Sequence, residues 1–242
     1  MGRKWNNIKY GKASKDAARS KIYARFGKEI YMAAKNGEPD VELNRNLASI
    51  VDRAKIAGVT RDIIDRAINK AKSGADENYE PIRYEGYGPS GSAIIVDALT
   101  DNVNRTVAEV RSAFKKNDGN MGVSGAVAFM FEATALFVFS GMDEEAVLEG
   151  LMAAEVDVRD VVDFDGEISV LADIEQFHAV QTALTGMGVA EFEEADLTML
   201  PTSSNKLSGE DLEKFIKLVG ALEELDDVTN VYHNVELVDE EE

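Results

Sequence analysis

The chain has no cysteine among its 242 residues. That absence excludes disulfides, thiolate zinc sites and thiol nucleophiles together, and it suits a reducing cytoplasm, the location we expect. Histidine is nearly as scarce. His178 falls in a helical stretch and His233 near a strand end, far apart in sequence. That separation argues for surface or core roles over metal binding or acid–base catalysis. No apolar run nears the roughly 20 residues that span a bilayer. The charged N-terminus lacks the apolar stretch of a secretory signal, so no membrane partner is expected. No nucleophile elbow, P-loop or zinc signature occurs. These absences leave nothing that argues for an enzyme, a cofactor or a small-molecule substrate.

Two motifs fail on context. "GYGPSG", with Gly86, Gly88 and Gly91, matches a dinucleotide-binding spacing. That site needs a helix N-terminus next, because free backbone N–H groups hold the pyrophosphate there. A β-branched strand follows instead, so a tight hairpin is expected. "DFDGEISVLA" hints at a calcium loop, but aligning Gly166 puts Val161 and Ala172 at ligand positions. Both must be oxygen donors in such a loop.

What the chain does have is charge, unevenly spread. The formal net charge is -19. Residues 1–75 hold 17 Lys and Arg against 8 Asp and Glu, whereas residues 76–242 hold 9 against 37. Residues 1–28 alone carry nine cations and one acid, together with the chain's single tryptophan, Trp5. Lys and Arg neutralise phosphates and release counterions, and an indole among them suits base stacking. We therefore expect nucleic-acid contact from Arg3, Lys4, Trp5, Lys9, Lys12, Lys15, Arg19 and Lys21. A second patch of Arg105, Arg111, Lys115 and Lys116 precedes a glycine-rich loop, "DGNMGVSG", whose backbone donors are expected to be open.

The organisation reads as α+β and multidomain. Residues 1–13 lack periodicity and read as an arm that orders on a partner. Three amphipathic helices follow. Ile22, Phe26 and Ile30 face inward in the first. Asp40 caps the second over Leu43, Leu47 and Ile50, and Thr60 caps the third over Ile63, Ile64 and Ile68. After Pro81 the period changes. "IRYEGY", "SAIIVDAL" and "AVAFMFE" read as strands, and a helix between them turns Val103, Val107, Val110 and Phe114 inward. Residues 133–200 run strand–helix–strand–strand–helix–strand, the ferredoxin-like order, with Asp165-Gly166 as a hairpin turn. One more helix and strand complete the sheet begun at residue 82. The expected domains are 1–75 (arm and three-helix domain), 82–132 with 205–237 (middle α+β domain) and 133–204 (ferredoxin-like, inserted in the middle one). The ferredoxin-like unit has one basic residue, Arg159. That excludes an RNA-reading sheet of the basic, aromatic kind.

Several stretches together resemble the YebC/PmpR family, which includes the mitochondrial translational activator of cytochrome oxidase. They are "KWNNIK" (4–9), "KIYARFGKEIYMAAKNG", "YEGYGPSG" (84–91), "LTDNVNRTVAEVRSAF" (99–114) and "GNMG" (119–122). "GRKW" in place of the family's usual Gly-His-Ser-Lys-Trp-like opening is similar to the YeeN-like branch. The resemblance implies a three-domain cytoplasmic protein that is either a ribosome-associated translation factor, aiding elongation through difficult stretches such as proline runs, or a DNA-binding transcriptional regulator. Sequence-specific DNA readout needs a recognition helix offering Arg, Asn or Gln to base edges. The third helix carries Asp62 and Asp65 and shows no such face. Ribosomal RNA or tRNA on the ribosome is therefore the expected partner, with DNA as the alternative. A protein-binding adaptor is the third possibility.

Overall fold

The structure, a computed structural model, describes residues 15–236, with side chains from Arg19 onward. The expected arm at 1–13 lies outside the described residues. The chain divides into two compact units. The first takes in the chain up to Lys28, Ala75–Glu132 and the chain from Leu200; the second takes in Glu29–Gly74 and Ala133–Met199.

In the first unit, β1 (Glu80–Tyr87) and β2 (Ala93–Thr100) form an antiparallel hairpin in register from Glu80↔Thr100 to Tyr87↔Ala93. The "GYGPSG" segment closes it through a short 3-10 turn, with Ser90 at φ 52 and Gly91 at φ +72. The expected hairpin is there. Helix α4 (Val103–Lys116) follows, then the two-residue β3 (Asn120–Met121) on the outer side of β1. The far edge comes from β9 (Val228–His233), which pairs with β2. The sheet order is therefore β3-β1-β2-β9, completed across the inserted unit as the sequence predicts. Helix α7 (Gly209–Glu223) joins α4 against this sheet, and Phe114, Val110, Phe215, Leu218 and Leu222 pack onto Tyr84, Ile94 and Val96. Each such side chain contributes about 1.5–3 kcal/mol when fully buried. Gly86 is required here, because a Cβ would sit 2.7 Å from both the Asn120 carbonyl and the Phe114 ring. A short parallel pair, β8 (Asn205–Lys206) with β10 (Val235–Glu236), was not anticipated.

In the second unit, the C-terminal part of α1 (Lys15–Lys35) is followed by α2 (Arg45–Ile56) and α3 (Arg61–Lys72). Ile30 of α1 is fully buried. The inserted segment gives β4 (Phe131–Ser140), α5 (Glu144–Ala153), β5 (Asp160–Phe164), β6 (Glu167–Ala172), α6 (Phe177–Gly186) and β7 (Glu194–Pro201). The sheet order β5-β6-β4-β7 is the ferredoxin-like arrangement. Asp165 (φ 56) and Gly166 (φ 83) form the expected two-residue turn, with positive φ at both positions. Phe137, Phe139, Ile168 and Val170 meet Val147, Leu151, Val180 and Leu184 from the two helices. On the edge strand, the Asp163 N–H donates to Glu144 Oε2 at 3.2 Å. That bond occupies one donor of the kind that otherwise templates aggregation.

Three sequence expectations need correction. The second helix is capped by Asn44, not Asp40. The Asn44 side chain accepts from the Leu47 N–H at 3.1 Å and donates to the Ala33 and Glu38 carbonyls, and Leu43 is left 72% exposed. In α4, Val103 faces out and Thr106 is buried, because the threonine hydroxyl joins a buried polar cluster. "AVAFMFE" is a strand only from Phe131; Ala128–Met130 is a 3-10 turn. The cause is Glu85, whose carboxylate accepts from the Val127 and Ala128 N–H groups.

Candidate nucleic-acid interface

Arg3, Lys4, Trp5, Lys9 and Lys12 lie outside the described residues, and Lys15 begins α1 with its side chain also outside them. Arg19 and Lys21 stand exposed in the first turns of that helix. The next two cations turn inward. Arg25 Nη1 donates to Asn230 Oδ1 at 2.8 Å, and its guanidinium lies 4.4 Å from the Phe26 ring centroid. Lys28 Nζ reaches the Leu99 carbonyl at 3.1 Å, the Asp226 carbonyl at 3.3 Å and Asp227 Oδ1 at 3.4 Å. These bonds tie the basic end of α1 to β2 and β9 within the first unit.

Asp227 is the hub of that attachment, and nothing in its local sequence marks it as such. The residue is 5% exposed. It accepts from Thr100 Oγ1 at 2.9 Å, Thr106 Oγ1 at 2.8 Å and Arg105 Nη2 at 2.6 Å. Burial pushes its carboxyl up. The bonds from Arg105, Thr106 and Thr100 and the Lys28 charge outweigh that and hold it below the usual carboxylate range. Arg105, expected on nucleic acid, is thus engaged by Asp227 and by Asp101 at 2.8 Å. Arg111, Lys115 and Lys116 are exposed on the same helix.

Part of the glycine-rich loop after β3 spends its backbone donors inward. Glu85, 5% exposed, accepts 2.7 Å bonds from the N–H groups of Gly125, Val127 and Ala128. The Gly122 N–H donates to the Glu85 carbonyl at 2.8 Å, and Tyr87 Oη donates to the Ala126 carbonyl at 2.8 Å. Burial raises the Glu85 carboxyl, but the three N–H bonds and Arg83 hold it lower than usual. With their N–H groups spent on Glu85, Val127 and Ala128 do not extend the strand. The loop presents Val123 and Phe129 instead, 79% and 75% exposed. Glu85→Ala should cost at least ~2 kcal/mol, because three donors lose their acceptor at once. A urea midpoint and amide-exchange rates for residues 122–130 check this, with fast exchange expected to be confined to that loop.

Among the described residues, no group of three or more His, Asp or Glu is arranged to hold a metal ion. His178 is exposed on α6, and His233 ends β9 against the Phe215 ring at 5.0 Å. Among those residues, no helix is long and apolar enough to cross a membrane.

Comparison with known proteins agrees with this architecture. A crystal structure of a conserved hypothetical protein from Aquifex aeolicus is similar, with 38% sequence identity, a TM-score of 0.80 and 96% of each chain covered. Residues 3–74 match the family model described as the TACO1/YebC protein N-terminal domain. Residues 79–235 match the model described as the TACO1/YebC second and third domain, which is designated a transcription regulator. Helical N-terminal segment, interrupted four-stranded sheet and inserted ferredoxin-like unit all fall within these matches, and the chain belongs to the TACO1/YebC family of regulators.

Proposed function

We propose that this protein is a non-enzymatic, ribosome-associated translation factor whose basic N-terminal segment holds ribosomal RNA or tRNA and so aids elongation through difficult stretches such as proline runs. The observation that carries the reading is the charge division: nine cations and one acid in residues 1–28, against 9 cations and 37 acids in residues 76–242. A polyanion is attracted to the first and repelled by the second. The bonds of Arg25 and Lys28 to the sheet support it, since they fix the direction in which α1 carries that segment. Lys4, Trp5, Lys9 and Lys12 are the contacts we expect to matter most. The factor acts by positioning: RNA or tRNA held near the reacting ends makes reaction faster by reducing the entropy lost on the way to it. The acidic domains then face basic ribosomal proteins or solvent in the cytoplasm.

Sedimentation of lysate through a sucrose gradient tests this directly. Tagged wild type should travel with ribosomes, and Lys4→Glu/Lys9→Glu/Lys12→Glu/Lys15→Glu should remain at the top. If about six phosphates are neutralised, log affinity for single-stranded RNA falls with log salt at a slope near -4. If wild type stays at the top at low and moderate salt, the ribosome reading fails. The DNA-binding reading, favoured by the family model's designation, then takes its place. An unchanged gradient for the variant indicates a protein-binding adaptor.

A further inference from the structure

Residues 76–242 contain nine Lys and Arg: Arg83, Arg105, Arg111, Lys115, Lys116, Arg159, Lys206, Lys214 and Lys217. With 37 acids beside them, ion pairing is the expected fate of each. Five are paired. Arg83 meets Asp97, Arg105 meets Asp101 and Asp227, Arg159 meets Asp173, Lys206 meets Glu236, and Lys214 meets Glu210 and Asp118. Among the described residues, the other four form no ion pair, and all four sit on the two helices that share one face of the first unit's sheet.

Three of them lie toward the C-terminal end of α4. Lys115 and Lys116 lie in the last turn of α4, and Arg111 is one turn before Lys115. Lys214 Nζ stands 3.6 Å from Asp118 Oδ2, just past that last turn. A Cβ on Gly119 would be 2.9 Å from Leu218 Cδ2. Residues 214–218 of α7 therefore abut the turn that ends α4, and Lys217 is exposed on that stretch. The nearest acids are partly used, Asp118 and Glu210 by Lys214. Asp211, Glu213 and Glu223 are the other acids of α7, with Glu213 one turn before Lys217.

We infer that Arg111, Lys115, Lys116 and Lys217 form a second contact surface for the phosphate backbone of RNA, separate in sequence from the N-terminal segment. The inference rests on the nucleic-acid reading and extends it. Clustered cations without acid partners keep their full attraction for phosphate, and a guanidinium adds a bidentate donor pair. Two basic surfaces on an otherwise acidic chain also make binding bivalent. The second contact is then intramolecular, and overall affinity exceeds that of either surface. Lys217 was absent from the sequence-based candidates, and Arg105 leaves them because its charge is already paired.

The test uses the full chain and fluorescent poly(U), with binding followed across a salt series. Lys115→Glu/Lys116→Glu/Lys217→Glu is compared with the N-terminal quadruple variant. A control, Arg45→Glu/Arg61→Glu/Lys72→Glu, makes the same change in net charge on exposed residues of the second unit. The triple variant at 115, 116 and 217 (the corner variant) should bind at least ~10-fold more weakly than the control, with the salt slope shallower by about 2, since each lost phosphate contact removes about 0.7. It should remain folded, with thermal unfolding modestly below wild type, because the substituted side chains form no ion pair among the described residues but Lys115 and Lys116 favour the C-terminal end of α4. Equal binding by corner and control variants overturns the inference. If the quadruple variant alone loses RNA, the proposed function stands and this surface falls; if neither loses RNA, both fall. A loss seen on anionic phosphatidylserine vesicles but not on poly(U) would assign the surface to lipid and also overturn the inference.

Discussion

Asp227→Ala is expected to lower stability by about 3 kcal/mol, near the lower end of the cost of breaking a buried charge network. Removing the carboxylate takes an acceptor from the buried hydroxyls of Thr100 and Thr106, an ion pair from Arg105 and the charge partner of Lys28. Arg105 is the least affected, since it is partly exposed and keeps Asp101. The two hydroxyls and Lys28 carry most of the loss. Asp227→Asn keeps the shape and one acceptor oxygen, so it should cost roughly half as much. Urea midpoints of the two variants check the order. The consequence reaches function through Lys28. With its Asp227 partner gone, Lys28 keeps the Leu99 and Asp226 carbonyls and the Tyr79 ring but loses its charge partner, so this end of α1 is held less firmly. Both variants should therefore weaken RNA binding although neither alters a proposed RNA contact. Equal stability of Asp227→Ala and wild type would remove the hub from the account.

Acidification from pH 7 to pH 4 is expected to cost about 3 kcal/mol through His233 alone. Burial drives this imidazole down to about 4. Its Nδ1 is sealed from solvent and has no hydrogen-bond partner. The unfolded chain takes up a proton near pH 6.5 and the folded one only near 4. Between those values the unfolded state binds more protons, so stability falls as pH falls through the window and is fully present above it. Asp227 and Glu85 add their losses below about pH 4, because their folded values are depressed and their unfolded ones are ordinary. His233→Gln should flatten the dependence of the urea midpoint between pH 6.5 and 4, leaving the steeper fall below it. A wild-type midpoint that is constant over that window would refute the buried imidazole.

Much of the architecture was legible because it is encoded locally. The helical spacing of Ile22, Phe26 and Ile30 was sufficient to place the first helix, and Asp165-Gly166 was sufficient to place a hairpin, since few residues accept positive φ at two successive positions. The order of elements in 133–200 then left the ferredoxin-like sheet as the natural packing. The misread places share a different cause. Val127 and Ala128 look like strand, and their N–H groups would suit a ladder. They go instead to Glu85, some forty residues earlier. Arg105 looks like its neighbours Arg111 and Lys115 but is claimed by Asp227, more than a hundred residues later.

By itself, the sequence determined the α+β class, the helices and most strands, the interrupted sheet and the contrast between a basic head and an acidic remainder. These follow from periodicity, turn chemistry and composition, which act over a few residues or by simple summation. Tertiary structure decided which charges are spent and which remain available. An ion pair requires two side chains within about 4 Å, and chain distance says nothing about that when a strand at 228–233 completes a sheet begun at residue 80. Only the folded arrangement turned Lys28 and Arg105 into fasteners and, among the described residues, left Arg111, Lys115, Lys116 and Lys217 without acid partners on one pair of helices.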